Sequence, residues 1–397
     1  MLAATVPTPT HPARNISAPE ALPAQETFSL SSIDAEGFLQ ALQALRQEIN
    51  ADLGERDIAH LRKMEWWGRG FTALGLLTAG IAPNPVSMVS LALGRNNRWV
   101  LMHHIAHRGY DKVPNIPKRY TSKVFGRGWR RFLDWPDWAN ADAWHHEHNI
   151  LHHAHTADMG DPDLIERNTA LLREMGLPMT LRYASMASMA LLWRPGLYAP
   201  NALRAWKERH KDDQSDAGDY SAQIILKSFL DPDYWRTGLL PYSALQFVAM
   251  PLLYAPFGPW AMASALINSL GAELVASIHS FVVVLPNHCG DDLYRYDIKP
   301  DSRAERIVRQ IVSSANYSTE SDWQGFAQLW LNYQIEHHVW PDLPMLRYRE
   351  VQPKLKDLCA QYGVPYTQQS LWRRVRRMAD VVVGKTAMQR VDSLHHG

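Results

Sequence analysis

An all-α integral membrane protein, with about four transmembrane helices in two hairpins and a cytoplasmic helical cap, is the fold class this sequence predicts. Three observations predict it. Two pairs of apolar stretches are each broken by a proline-containing turn, a strongly basic segment follows the first pair, and histidines cluster where the stretches end. The chain of 397 residues is 46% hydrophobic, which supplies a core and excludes a disordered protein. Lys+Arg of 41 against Asp+Glu of 40 leaves a net charge of +1, so nothing points to a nucleic-acid partner. Two cysteines, Cys289 and Cys359, exclude a disulfide framework and a CxxC site.

Residues 1–30 are rich in Pro, Ala, Thr and Ser, lack the pattern of a secretory signal, and read as a disordered lead-in. Residues 31–65 read as a cytoplasmic amphipathic helical segment, with Phe38, Leu39, Leu42, Leu45 and Ile49 near helical spacing. The first apolar pair is 66–82 and 86–102, broken by Ala82-Pro-Asn-Pro85, with Arg69, Arg95 and Arg98 within it. The second pair is 237–255 and 260–286, broken by Ala255-Pro-Phe-Gly-Pro259. A span needs about 20 apolar residues, so these stretches make short spans. Arg108, Lys112, Lys118, Arg119, Lys123, Arg127, Arg130 and Arg131 mark the following side as cytoplasmic, with both turns outward. A soluble all-α protein with buried helices is the competing reading. Trp372-Arg-Arg-Val-Arg-Arg-Met378 in the tail reads either as a basic helix on an anionic leaflet or as a solvated helix face.

Of the 18 histidines, most fall in three clusters. In the first, His103 and His107 share a helix face and His104 points elsewhere. In the second, residues 144–155, helical spacing puts His145, His148, His152 and His155 on one stripe and His146 and His153 on another. The third is Asn332-Tyr-Gln-Ile-Glu-His-His338, in which Gln334 reaches the faces of His337 and His338. His279 and His288 sit at the end of the fourth span. Packing so many imidazoles without a metal would bury donors and crowd positive charge. Imidazole suits Zn, Cu, Fe and Ni. HExxH is absent, and the ligand number exceeds what one zinc needs, so a two-metal site with open positions, suited to iron and dioxygen, accounts for the set.

Three motifs follow one another as His103-xxx-His107, His148-xxx-His152-His153 and Gln334-xx-His337-His338. In this order, with hydrophobic hairpins before and between them, they resemble the membrane-bound fatty acid desaturases over about residues 60–370. Glutamine opening the third motif, the sequence on to Val-Trp-Pro-Asp-Leu-Pro344, and Pro286-Asn-His-Cys289 resemble the front-end branch. The resemblance implies a catalytic domain over 66–345 with a cytoplasmic helical tail over 346–397. It implies two irons held by His103, His107, His148, His152, His153, His288, His337 and His338, with O2 as co-substrate and no catalytic residue apart from the ligands. The reaction it implies is insertion of a cis double bond into the acyl chain of a lipid or thioester. Front-end members often carry a fused cytochrome b5 domain; here His11-Pro12-Ala13 stands without its haem motif. The expected electron donor is therefore a separate ferredoxin or cytochrome b5. A bacterial inner membrane, with motifs and termini cytoplasmic, is the expected location. His146 is expected behind the ligands, and Asp161 and Asp163 are second-tier candidates by proximity. His104 and His155 are expected to be structural. Glu273, inside the fourth span, is either functional or paired within the helices.

Three other functions compete with this reading. A hydroxylase on the same scaffold would put oxygen on carbon instead of removing a second hydrogen. A non-catalytic metal sensor would tolerate loss of a motif. A soluble zinc hydrolase would require a tight ligand set with a free glutamate, which the spacing does not supply.

Overall fold

The computed structural model describes residues 33–209 and 227–391. The expected lead-in over 1–30 and the segment around His11 lie outside the described residues. The chain is mostly helical. Two small parallel strand pairs, Tyr294–Tyr296 with Gln389–Val391 and Ala315–Tyr317 with Thr367–Gln369, depart from the all-α expectation. Both pairs join distant segments and tie the C-terminal region to the chain around the third motif.

Helix α1 (Ala35–Ala51) is capped by Asp34, whose carboxylate accepts from Gly37 N. Its apolar stripe Phe38, Leu39, Leu42, Leu45 and Ile49 is buried, as the spacing predicts. Helix α2 (Glu55–Ala79) runs unbroken through the expected boundary at residue 65. Helix α3 (Pro85–Ala106) returns antiparallel to it, with Asn84 as N-cap and Pro85 at its first position, where a missing N–H costs nothing.

After α3, a helix over 141–155 (α4) carries the second motif. Its centre, His145–His152, is π-wound. Helix α5 (Ala199–Glu208) packs against it. The second hairpin is α6 (Pro232–Phe257) and α7 (Pro259–Val284), and among the described residues these are the two helices long and apolar enough to cross a membrane. Helices α2 and α3 fall below that measure: α2 carries Arg62, Lys63, Glu65 and Arg69, and α3 carries Arg95, Asn96, Asn97 and Arg98. The two hairpins meet at their turns. Asn268 donates to Ala79 O at 2.9 Å and to Ala82 O at 2.9 Å, and Trp260 Nε1 donates to Ile81 O at 3.1 Å. The third motif lies on the short helix α8 (Gln334–Val339), followed by α9 (Met345–Gln361) and α10 (Leu371–Val382).

Glu273 is paired within the helices. It accepts from Trp138 Nε1 at 2.6 Å, Arg194 Nη1 at 3.0 Å and Arg95 Nη1 at 3.3 Å, and from Tyr242 OH. Arg194 also binds buried Asp137, so two cations face two carboxylates. Helix α10 divides its run: Trp372, Arg373 and Arg376 are exposed, and Arg374 and Met378 turn inward. Arg374 is fully buried, donating to Pro286 O at 3.2 Å and Cys289 O at 3.1 Å, and Met378 is buried beside it.

Candidate metal centre

Four chain segments converge to make the site. The last turn of α3 presents His103 and His107, and the chain then leaves through Arg108 in the left-handed region (φ 65°). At Gly109 a Cβ would sit 2.8 Å from both His104 O and Leu343 O, so only glycine permits this approach to the segment after the third motif. The third motif is launched by Leu329 and Trp330, both left-handed (φ 55° and 52°). Such non-glycine residues cost roughly 1–3 kcal/mol each and persist where packing over-determines them. Trp330 is buried, edge-on to His60.

The structure brings all eight predicted ligands into one buried cluster. Ring nitrogens of His103, His107, His148 and His337 lie mutually within 4.8 Å, and so do those of His152, His288 and His338. His103 Nε2 is 3.0 Å from His337 Nε2, and His288 Nε2 is 3.2 Å from His338 Nε2. Adjacent helical residues diverge by about 100° at 3.6 residues per turn, so His337 and His338 serve different groups. His153 lies between the groups, its ring centre 4.5 Å from those of both His107 and His338.

The π-turn corrects the predicted stripe. Winding to i→i+5 brings His148 and His153, five apart, to one side. His145 turns out to Asn149 (2.8 Å) and His155 to Asp158 (3.1 Å). His146 packs edge-on to Trp206. His104 is buried with its ring against His337 and Tyr348, and His279 is held by Ala327 O at 2.7 Å and Asn96 Nδ2 at 3.0 Å, outside the cluster. Gln334 does reach the cluster, its Nε2 2.9 Å from His288 Nε2.

Burial first, and then the neighbouring imidazoles, push His148, His153, His337 and His338 far below the ordinary histidine range. These rings are neutral, with lone pairs to offer. The outer nitrogens fix which atom offers them. Tyr348 OH donates to Pro341 O at 3.0 Å, leaving its oxygen to accept from His337 Nδ1 at 3.2 Å. Thr156 Oγ1 donates to His152 O at 2.8 Å and so accepts from His338 Nδ1 at 3.3 Å. His152 Nδ1 donates to Asp161 Oδ1 at 2.8 Å. Burial opposes charge on His152, but Asp161 outweighs it and raises this ring, while burial of Asp161 is outweighed by His152 and by backbone donors, which hold it low. Nε2 of all three then points inward. Buried His107 Nε2, His148 Nε2 and both nitrogens of His153 have no hydrogen-bond partner. Orphaned inward lone pairs packed this closely fit metal cations and little else.

A cavity, about 1220 Å³ of atom-free space when its open mouth is counted, lies against His103, His148, His152, His288 and Gln334. Its other walls are mainly apolar, among them Trp99, Trp144, Leu197, Phe281, Val284 and Leu331, with Arg204, Asn201 and Asn168 also on the lining. Glu147 also lines it, and burial, then the Asp163 and Asp161 carboxylates, raise it well above the carboxylate range. Glu336 was missed by sequence reasoning. It is buried between Asn316 Nδ2 (2.8 Å) and Tyr366 OH (2.5 Å), and burial pushes it up to about 7. Its place inside the third motif was the available signal. Tyr348, Asn316 and Tyr366 left none.

Comparison with known proteins agrees with this geometry. A family profile described as fatty acid desaturase matches residues 79–370. The chain is 23% identical over 374 residues to the NADPH-dependent stearoyl-CoA 9-desaturase of Mycobacterium tuberculosis, covering 88% of this chain and 81% of that one. It is 25% identical over 301 residues to the Delta(8)-fatty-acid desaturase of Euglena gracilis (71% and 62%) and 23% over 302 residues to fatty acid desaturase 3 of Bos taurus (73% and 59%).

Proposed function

The chain belongs to the fatty acid desaturase family, and on that premise we propose how its residues serve an O2-dependent fatty acyl desaturase with an external electron donor. The observation that carries the reading is eight histidines from four segments gathered into one buried cluster, four of them (His103, His148, His152 and His288) on the wall of an apolar cavity. His103, His107, His148 and His337 would hold one iron and His152, His288 and His338 the other, with His153 between the two groups. Bound there, the irons supply O2 activation, so that O2, two external electrons and two protons take the hydrogens from two adjacent methylenes, giving a cis double bond and two waters.

The chain's own work is positioning and exclusion. Trp99, Trp144, Phe281 and Val284 shape a slot that takes an extended acyl chain and keeps out water. Arg204 and Asn201 suit the polar end of the substrate, an acyl thioester or acyl lipid. Asp161, Tyr348 and Thr156 fix the imidazole tautomers. The family is membrane-associated. The α6/α7 hairpin spans the bilayer, the α2/α3 hairpin enters beside it, and the motifs face the cytoplasm opposite the turns. Residues 66–345 form the catalytic domain and 346–397 the tail that braces it. A bacterial inner membrane and a separate ferredoxin or cytochrome b5 donor complete the reading.

The test is gas chromatography–mass spectrometry of fatty acids from a host expressing the chain beside His337→Ala and His338→Ala. An unsaturated acyl species made only by the intact chain is expected. A hydroxylated species instead would transfer the reading to a hydroxylase. An unchanged profile with iron-loaded protein and a working donor would remove the acyl substrate.

A further inference from the structure

A second concavity opens between α2, α3 and α6 and encloses about 1370 Å³ with its open mouth. It shares no lining residue with the histidine cavity. Its arginine end is Arg69 and Arg98, with Arg95 behind. From there toward the turns it is apolar, through Leu76, Leu91, Leu245, Ala249, Met250 and Leu253. At 1.5 Å per residue, the arginines stand roughly 15–20 Å from the α2–α3 turn.

The charge at the arginine end is unbalanced. Glu65, buried, is the acid at its centre, and three guanidiniums share it: Arg69 at 2.8 Å, Arg119 at 2.9 Å and Arg98 at 3.7 Å. The nearby Asp134 is engaged by Arg130 at 2.8 and 2.9 Å, and Arg95 is matched to Glu273. Three cations on one carboxylate leave two positive charges in excess. The Arg69 and Arg119 side chains are 41% and 44% exposed. Exposed Trp66 lies 5.7 Å from the Arg69 guanidinium and exposed Trp129 5.8 Å from that of Arg130, side chains suited to a headgroup-level belt.

Excess cationic charge at one end, an apolar trough along a bilayer-facing hairpin, and an aromatic rim together match one amphiphile. We propose that this groove binds an anionic glycerophospholipid, its phosphate on Arg69 and Arg98 and one acyl chain lying along α6 toward the turns. The lipid is not the substrate, because no histidine is among the described residues that line the groove. It bridges the two hairpins and braces α3, the helix whose far end carries His103 and His107. The inference rests on the membrane placement of both hairpins given under Proposed function.

The experiment uses the purified full chain in nanodiscs of phosphatidylcholine alone or doped with phosphatidylglycerol. Lipid retention is read by native mass spectrometry, affinity by titration, and bound iron in the same samples. Wild type is expected to retain phosphatidylglycerol in preference to phosphatidylcholine. Arg69→Gln with Arg98→Gln is expected to weaken that binding about 30-fold, at about 1 kcal/mol per basic residue near the membrane surface. Arg119 and Tyr120 still satisfy Glu65 in that variant. Ala249→Phe, which narrows the trough without touching a charge, is expected to weaken binding too, and it keeps the test decisive if the double variant misfolds. No preference in wild type, undiminished preference in both variants, or equal competition by inorganic phosphate would each overturn the proposal. Iron retained without lipid preference overturns the groove alone. Lipid preference without iron supports the groove and counts against the desaturase reading.

Discussion

Replacing Asp161 with Asn tests whether the chain orients its own ligands. Asp161 Oδ1 accepts from His152 Nδ1 and from Asp163 N, both at 2.8 Å, and Oδ2 accepts from Ala157 N at 2.8 Å. An asparagine can keep its oxygen on the first two donors. Its NH2 then faces the Ala157 N–H, donor against donor. Ala157 is buried and left-handed at φ 62°, so it has little freedom to turn away. Losing that bond costs about 1–3 kcal/mol of folding stability in the metal-free protein. The second effect is electrostatic. The carboxylate holds His152 in the Nδ1–H tautomer and raises its basicity, and a neutral amide does this weakly. Loss of such a partner weakens metal binding or activity about 10–100-fold, about 1.4–2.7 kcal/mol. The assay is iron retention by the purified variant against a graded chelator, beside its thermal midpoint without metal and its product yield. Unchanged iron retention with a lowered metal-free midpoint would show that Asp161 only supports the backbone, and the orientation argument would fail.

Glu273→Gln leaves Arg194 with Asp137 alone and buried Arg95 with no carboxylate among its described partners, so it should destabilise by about 3–5 kcal/mol, read as a lowered melting midpoint in detergent. Iron binding by the fraction that folds should be unchanged, since Glu273 is not among the clustered ligand groups. His60, outside the spans, is lowered to about 4, by burial first, with Arg349 and Lys63 adding to it and Asp322 opposing. Its folded pKa lies below its unfolded value, so the unfolded chain takes the proton first, and stability falls as pH drops from about 6.5 to about 4. The loss is at most about 3 kcal/mol at 1.36 kcal/mol per unit. His60→Leu should flatten that part of the pH–stability curve, and an equally steep curve in the variant would refute the assignment.

The clustered histidines were legible because their chemistry is local. Helical spacing put His103 with His107, and sheer density demanded a cation. What spacing could not supply was the winding between His145 and His152. A regular helix puts His145 and His155 on the ligand stripe, and the π-turn removes both. Long-range partners were equally hidden. Glu273 was visible as a carboxylate in an apolar run, but its cations arrive from α3 and from the segment before α5. In the basic run 372–378 the sequence shows the charges but not which of them turns inward, and Arg374 does. The two small strand pairs are three residues each, too short to leave a pattern.

Those long-range partners explain how a centre can rest on so few helical turns. His288 lies just beyond α7 in a short 3-10 turn with little structure of its own. Arg374 reaches it from nearly ninety residues away, donating to the carbonyls of Pro286 and Cys289 on either side and pairing with Asp292. A lysine there could not fork across two carbonyls and a carboxylate, so the planar guanidinium matters as well as the charge. On the opposite side, Asn316 takes Ile335 N (2.9 Å) on its carbonyl and gives its amide to Glu336 (2.8 Å), fixing the start of α8. Strand Ala315–Tyr317 holds Asn316 through its pairing with Thr367–Gln369, immediately before α10. One C-terminal segment therefore braces both His288 and the His337–His338 pair. Because two of the four histidine segments depend on it, the cluster is completed only when residues 367–382 dock, and the affinity of the proposed metal centre is linked thermodynamically to that docking.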